Sequence, residues 1–355
     1  MRIKEIKKVL TEINFFRKTL KKYGSVMRRG KYYLFSTMRA AVLNNLEFYN
    51  AAVPYFYKKT PDSLRKNLIT IINKIGFLNN KQKSEQKYDA FYVANNYDAS
   101  REVKLFSFSE RKILTICANR NDYSEQVRLY DELGEWYNLP KVEECHLYEN
   151  SYKISMIELK ERPTDEYAIK EILFATMKYN TQGKCNKSIA VKDLVIANYE
   201  NDELNVILQR LISEISSEVL NVSLPCCEQH GDLSRDNLIY GISEDKEAFW
   251  WIDWEHRKSR VFFYDFYFYI LNTAVYIKDT FALESYLKGD YNEELKIFFN
   301  SFGVEFSSDK LIEYFLVFVI SFLKERVCDL NNIIALKMYC ENLIKLKLLT
   351  EGCSI

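Results

Sequence analysis

The sequence predicts an α+β fold with its strands early and its helices late, and three observations predict it. Aromatic and β-branched runs separated by short polar turns cluster at 90–117 and return at 152–157. Helical periodicity dominates from 165 onward, and only ten Gly and five Pro interrupt 355 residues, too few for a chain of tight turns. The first 88 residues are helical in pattern and basic at their start, which reads as an N-terminal helical extension.

Residues 1–40 hold twelve Lys or Arg and two Glu, a balance of +10, so the remaining 315 residues carry −9. Ile3, Ile6, Leu10, Ile13 and Leu20 recur at helical spacing, and Val9 and Phe16 widen the stripe. Such a helix packs its stripe on the rest of the protein and keeps its lysines in water. The same pattern also suits peripheral contact with an anionic membrane or a polyanionic partner through 1–40. From Ala41 to Tyr88 the pattern stays helical. Thr60 caps a helix whose first position is Pro61, with Ser63 the weaker alternative cap, and Gly76 ends it. NNKQKSEQK at 79–87 reads as a polar linker, so the expected domains are 1–88, 89–160 and 161–355.

Strands are expected at 90–93, 102–108 and 112–117, a helix at 123–136, and a strand at 152–157 running into Glu158, Leu159 and Lys160. Helices follow at 165–179 and 202–220, then at 263–277, 281–301, 308–327 and 329–348. With 26 Tyr and 23 Phe, the core should be heavy in rings, and most of VFFYDFYFYI at 261–270 belongs to it.

Several function classes are excluded by composition. The eight Cys form no C-x-x-C pair and show no regular spacing, which argues against a zinc site or a disulfide framework and for reduced thiols in a cytoplasmic protein. Three scattered His do not make a metal cluster. Charges interrupt the first twenty residues, as no secretory signal allows, and the apolar stretches 261–277 and 311–323 are broken by Asp265 and Glu313 and are shorter than a bilayer span. No specific nucleic-acid motif accompanies the basic start.

The chemistry concentrates in HGDLSRDN at 230–237 and WWIDWEH at 250–256. Asp232 and Asn237 have four residues between them, the D-x-x-x-x-N spacing in which the Asp accepts a hydroxyl proton and the Asn holds a divalent ion during phosphoryl transfer. Asp253 ends an apolar, strand-like stretch, where a carboxylate can reach the same ion cluster. An HGD tripeptide alone would be a backbone turn. In register with Asn237, Asp253 and the later Tyr264-Asp265-Phe266, it is more than that.

These three ordered elements resemble the aminoglycoside phosphotransferase and choline kinase family, whose signature reads HGDLxxxN, a strand, then IDxE or IDxG. The resemblance spans about 89–268. It implies a bilobal protein-kinase-like fold, with a small antiparallel-sheet N-lobe and a large helical C-lobe behind the extension. It also implies an ATP-dependent phosphotransferase, using ATP or another nucleoside triphosphate and Mg2+, whose acceptor is a hydroxyl of a small molecule or glycan. Asp232 would be the base, Asn237 and Asp253 the metal ligands, His230 a scaffold, and Asp265 a brace under the loop. Arg235 is a candidate for steadying the transferred group, with a solvent-facing or salt-bridged Arg as the alternative. In the N-lobe, Glu125 would orient a phosphate-binding lysine, supplied by Lys112 or Lys104; Ser100 lies in the phosphate loop, and Glu158 and Lys160 lie at the adenine hinge.

The chain departs from that pattern in two places. The lysine expected on the third strand falls near Thr115, and the phosphate loop at 95–100 has no glycine. Both departures support an alternative, a catalytically impaired kinase-like pseudoenzyme or binding module. A protein kinase is disfavoured because no A-P-E segment follows Asp253. Trp254, Tyr264, Tyr267 and Tyr269 offer an aromatic cage for a quaternary ammonium, or a stacking platform for a sugar.

Overall fold

The computed structural model describes residues 2–35, 39–56, 64–82, 87–93, 102–146, 149–181, 185, 187–195 and 202–330. The capping residues Thr60 and Ser63, the loop at 95–100 with Ser100, and most of the helix expected at 329–348 lie outside the described residues. Two compact units form, one from 1–135, 139–160 and 241–248, the other from 136–138, 161–240 and 249–355.

The first unit is built on α1 (Arg2–Tyr23), β1 (Gly30–Leu34), β2 (Ala40–Leu43), α2 (Leu46–Phe56), α3 (Leu64–Ile75), β3 (Leu78–Asn80), β4 (Ala90–Val93), β5 (Val103–Ser107), β6 (Lys112–Ile116), α4 (Arg120–Leu133), β7 (Val142–His146), β8 (Ser151–Ser155) and β9 (Glu158–Leu159). Eight of these strands make one antiparallel sheet in the order β3-β1-β2-β4-β5-β6-β8-β7. The expected α+β class is observed, with β4, β5, β6 and β8 within two residues of their predicted places.

The helical extension over 1–88 is corrected. Three of its segments are strands, and pairs such as Ala41 with Phe91 continue the sheet from β2 into β4. Strands of three to five residues are too short to show a period in the longer windows that reveal helices. The linker reading also fails at its start. Asn80 is buried in β3, where its Nδ2 donates to the carbonyls of Gly24 (2.9 Å) and Met27 (3.0 Å).

The start of the chain packs, as the first reading of its stripe holds. Val9, Ile13, Phe16 and Leu20, at i, i+4, i+7 and i+11, are buried with Ile69 of α3 and Phe91 and Leu105 of the sheet. Each contributes roughly 1.5–3 kcal/mol by leaving water. Ile6 and Leu10 stay exposed, so the buried face is rotated from the stripe the sequence suggested. Glu12, also buried, is held by Arg65 (2.8 Å) and Arg39 (3.7 Å), which ties α1 to its neighbours. On the opposite sheet face, Ala52 and Phe56 of α2 pack with Ala90 and Phe106, while Tyr123, Val127 and Tyr130 of α4 pack with Tyr152 and Ile154.

The second unit contains α5 (Asp165–Asn180), β10 (Lys187–Ala190), α6 (Val191–Val195), α7 (Asp202–Ser213), α8 (Ser217–Leu220), β11 (Ser223–Gln229), β14 (Lys258–Val261), α9 (Tyr264–Asn272), a π-helical turn Thr273–Ile277, α10 (Phe281–Lys288), α11 (Asn292–Ser301) and α12 (Leu311–Leu330). β10, β11 and β14 form a small antiparallel sheet. β12 (Leu238–Ser243) and β13 (Lys246–Trp251) pair in a hairpin whose turn, Glu244–Asp245, has positive φ at both residues (50° and 61°), the geometry that matches strand twist. All of Tyr264 to Leu271 are buried, so α9 is the axis of a ring-rich core, as the aromatic count forecast. Among the described residues, no helix is long and apolar enough to cross a membrane.

Candidate active site

β11 delivers the chain into His230-Gly231-Asp232, and Gly231 turns it there with φ 80°. A side chain at this position would meet the His256 carbonyl and the Arg260 guanidinium at 2.5–2.6 Å, so the turn depends on glycine for both conformation and space. Directly beneath, Asp265 in the first turn of α9 accepts hydrogen bonds from the backbone N–H groups of His230 (2.6 Å) and Gly231 (2.8 Å). Its own N–H donates to Gln229 Oε1 at 2.9 Å, closing the brace. Burial pushes the Asp265 carboxyl up to about 6, while the two N–H donors pull the other way.

His230 is fully buried, and burial pushes its pKa down to about 4, so the ring is neutral near pH 7. Its Nε2 lies 2.7 Å from the Ile252 carbonyl, an acceptor, which assigns the proton to Nε2. Nδ1 then accepts from the Asp232 N–H at 3.3 Å. This histidine therefore ties the loop to the residue before Asp253.

Asn237 precedes β12 and Asp253 follows β13, so the open end of one hairpin carries both residues. The last rung, Ile252 N–H to Asn237 O at 2.9 Å, fixes them side by side along the chain. The Asn237 Nδ2 donates to the Asp232 carbonyl (2.7 Å) and reaches its carboxylate (3.4 Å), which leaves Oδ1 without a hydrogen-bond donor among the described residues. Asp253 sits at φ 66°, a left-handed conformation that aspartate adopts more readily than most side chains. Its side chain is exposed, and no described residue donates to it. Among the described residues no three His, Cys, Asp or Glu side chains cluster as a metal centre; the donors here are two carboxylates and a carboxamide oxygen. That set of hard oxygens fits Mg2+, which keeps several waters and takes few protein ligands.

Arg235 is salt-bridged, as the alternative reading of its position had it. Its Nε donates to Asp165 Oδ1 (3.1 Å), and its Nη2 donates to Asp165 Oδ2 and to Asp279 Oδ2 (2.7 Å). Burial works against its charge, yet the bonds to Asp165 and Asp279 outweigh that and hold the guanidinium above its usual range. Asp165, at the start of α5, is buried and also accepts from Tyr269 OH at 2.5 Å. Tyr269 OH in turn accepts from Arg162 Nη2 at 2.6 Å, and Arg162 Nη1 donates to the carbonyl of Leu238. This five-residue clamp around the loop was missed in the sequence. Its hydrogen-bonded pairs lie 44–107 residues apart and carry no spacing signature.

The aromatic cage does not form. Trp254 packs on Tyr137 (4.9 Å) and His230 (4.8 Å), Tyr264 on Phe318 (5.2 Å), and Tyr267 on Tyr286 (5.3 Å), while Tyr269 joins the clamp. All four are buried and taken up by packing or by the clamp, leaving no open ring face for a cation or a sugar.

In the first unit, the expected lysine and glutamate are not brought together. Lys112 pairs with Glu143 at 2.5 Å and shares its strand face with Leu114 and Ile116, which pack toward α1 and α3. Glu125 is exposed on the far side of α4 from Tyr123, Val127 and Tyr130, which face the sheet. Lys104, directly across from Thr115 in the β5–β6 register, is the lysine that shares the α4 face; it pairs with Glu102 at 3.0 Å. Glu158 is bound by Lys160 (2.5 Å) and Arg111 (2.7 Å), and hydrogen bonding to Lys160 lowers its pKa. One of the places where the chain passes from the first unit to the second lies between Lys160 and Glu161.

No protein-family model and no curated protein sequence matches this chain. Solved structures do. Choline kinase LicA from Streptococcus pneumoniae is similar at 12% identity over 82% of this chain and 99% of its own, with a TM-score of 0.40. An ethanolamine kinase from Plasmodium vivax is similar at 12% identity, over 65% and 73%, with a TM-score of 0.36. A thermostable mutant of an aminoglycoside phosphotransferase is similar at 13%, over 78% and 98%, with a TM-score of 0.42. At this distance, the geometry of residues 230–265 carries the functional reading.

Proposed function

We propose that the protein transfers the terminal phosphoryl group of a nucleoside triphosphate to a hydroxyl group of a small molecule or glycan. One observation carries this reading: Asp232, Asn237 and Asp253 are gathered by backbone and side-chain bonds at one hairpin end, with Asp253 held left-handed and unbonded.

Asp232 orients the acceptor hydroxyl and takes its proton as the phosphorus–oxygen bond to the acceptor forms and the bond to the departing diphosphate breaks. Asn237 Oδ1 and the Asp253 carboxylate are the residues that would hold Mg2+. When bound, the ion offsets negative charge on the phosphates. His230 and Asp265 touch no reacting atom; they fix the loop from below and behind. The Arg235 clamp holds its other side through Asp165 and Asp279.

The test is ATP consumption by the purified protein with Mg2+, against aminoglycosides, choline, ethanolamine and sugars in turn. Turnover with one acceptor class, lost in Asp232→Ala with the circular dichroism spectrum unchanged, supports the reading. Full turnover in that variant overturns it.

A second reading, a binding module without turnover, is favoured by one specific observation. Thr115 stands where a lysine is expected, and Lys112 is occupied by Glu143. A melting temperature that rises with MgATP but no turnover with any acceptor selects this reading, because a ligand bound only to the folded state raises stability.

A further inference from the structure

A cavity of about 710 Å3 opens on the first unit beside α1, lined by none of the residues of the candidate active site. We propose that it binds a compact phosphate-bearing ligand, either a free phosphorylated small molecule or the phosphorylated headgroup of a lipid.

The sequence pattern builds the cavity. Asn14, Arg17, Lys18 and Lys21 all line it and recur at i, i+3, i+4 and i+7, one face of α1. The adjacent face of the helix, Val9, Ile13, Phe16 and Leu20, is buried in the core, so the basic face is held in place and cannot roll away. Lys81, just past β3, adds a fourth cation from the other wall. The described residues lining the cavity include no Asp or Glu, and none of the four cations is paired with a described carboxylate. Four like charges around one space repel one another, and an anion among them relieves that repulsion.

The frame is rigid where it needs to be. The Arg17 guanidinium lies over the Phe77 ring at 5.0 Å, which orders it without neutralising it. Asn80 pins β3 to the end of α1, and Gln82 Nε2 donates to the Lys21 carbonyl at 2.9 Å, so the helix end at the cavity is capped by a donor. The volume lies in the range of small-ligand pockets. Cations gathered around a cavity, rather than laid along a track, suit a small polyanion better than a nucleic-acid strand. Because Val9, Ile13, Phe16 and Leu20 of α1 are buried in the core, a membrane would be met mainly through its headgroups.

The experiment titrates inorganic tripolyphosphate into the full chain by calorimetry, comparing wild type with K18E/K21E, with K81E, and with D253A in the other unit. Saturable binding of one molecule per chain, about tenfold weaker or worse in K18E/K21E and in K81E but unchanged in D253A, with melting temperatures preserved, supports the site. Co-sedimentation with phosphatidylcholine vesicles carrying phosphatidylinositol 4-phosphate, lost in the same two variants, assigns the phosphate to a lipid; tripolyphosphate binding without co-sedimentation assigns it to a soluble ligand. Absence of both, binding unchanged in K18E/K21E and K81E, or tight binding of a short single-stranded oligonucleotide in place of tripolyphosphate overturns the proposal. Loss of tripolyphosphate binding in D253A also overturns it, by moving the anion to the loop.

Discussion

The loop at 230–265 and the strand-helix pair β6–α4 were read from the same resemblance, and the structure treats them in opposite ways. Around the loop the residues named from the motif are joined to one another: Asp265 braces two backbone N–H groups, His230 bridges to Ile252, and Asn237 holds the Asp232 carbonyl. In the other region Lys112 and Glu125 lie on unrelated faces, and Glu143 occupies the lysine. The difference teaches where a motif carries its own geometry. The loop's partners fall within 36 residues and are joined by a single hairpin and one short sheet. A lysine on a strand and a glutamate on a helix meet only if two elements pack in the right rotation, which one sequence does not display.

The largest effect that would sharpen this contrast is on turnover. Asp232→Ala should lower kcat by about 10²–10⁴-fold, the usual worth of a positioned base, whereas Lys112→Ala should leave it within about twofold, since its partner is Glu143. Steady-state kinetics on the two variants side by side measure this. Equal losses would erase the distinction between the regions. Lys104→Ala should raise the KM for nucleotide while leaving kcat little changed; an unaltered KM would remove Lys104 from consideration.

Stability offers the next test. Arg235→Met leaves Asp165 buried and unpaired and should cost about 3–5 kcal/mol, as breaking a buried ion pair does. Asp279→Ala, which removes the more exposed acceptor, should cost no more than about 1 kcal/mol. Urea unfolding of both variants reads the difference, and a small cost for Arg235→Met would show that the clamp does not hold the loop.

A smaller effect appears in the pH dependence, because the two buried titrating groups of the loop pull in opposite directions. Asp265 is raised to about 6, so as pH climbs from its ordinary value toward 6 the folded chain retains a proton that the unfolded chain has lost, and stability falls. His230 is lowered to about 4, so over much of the same window the unfolded chain holds the extra proton, and stability rises until the ordinary histidine range is passed. In the wild type the two contributions nearly cancel. His230→Gln should expose the first, a loss of up to ~3 kcal/mol between pH 4 and 6, and Asp265→Asn should expose the second, a gain of similar size. Parallel pH profiles for both variants would contradict the opposed shifts.

Legibility in the sequence followed the range of the contacts. The strands β4, β5 and β6 and the ring-rich core of α9 were readable from local pattern, because aromatic and β-branched runs of ordinary length signal themselves. The strands β1, β2 and β3 were not, since three to five residues between helices leave too little period. In the site, Asp232, Asn237 and Asp253 were named from their spacing together with the family resemblance, and Asp265 from the resemblance. Asp165, Tyr269 and Asp279 were invisible, as was the engagement of Arg235, because each contact joins segments far apart in the chain. The cage suggested by Trp254 and its tyrosines failed for a related reason: a helix buried on all sides spends its rings on packing.

The central claim is that one hairpin end holds a divalent ion beside a base, and Mn2+ in place of Mg2+ makes that ion visible. Electron paramagnetic resonance titration of Mn2+ in the presence of a nonhydrolysable ATP analogue should show one saturable site in the wild type and in Lys112→Ala. The site should be weakened about tenfold or more in Asn237→Ala and in Asp253→Ala. Wild-type Mn2+ affinity in Asp253→Ala would contradict the account at its base.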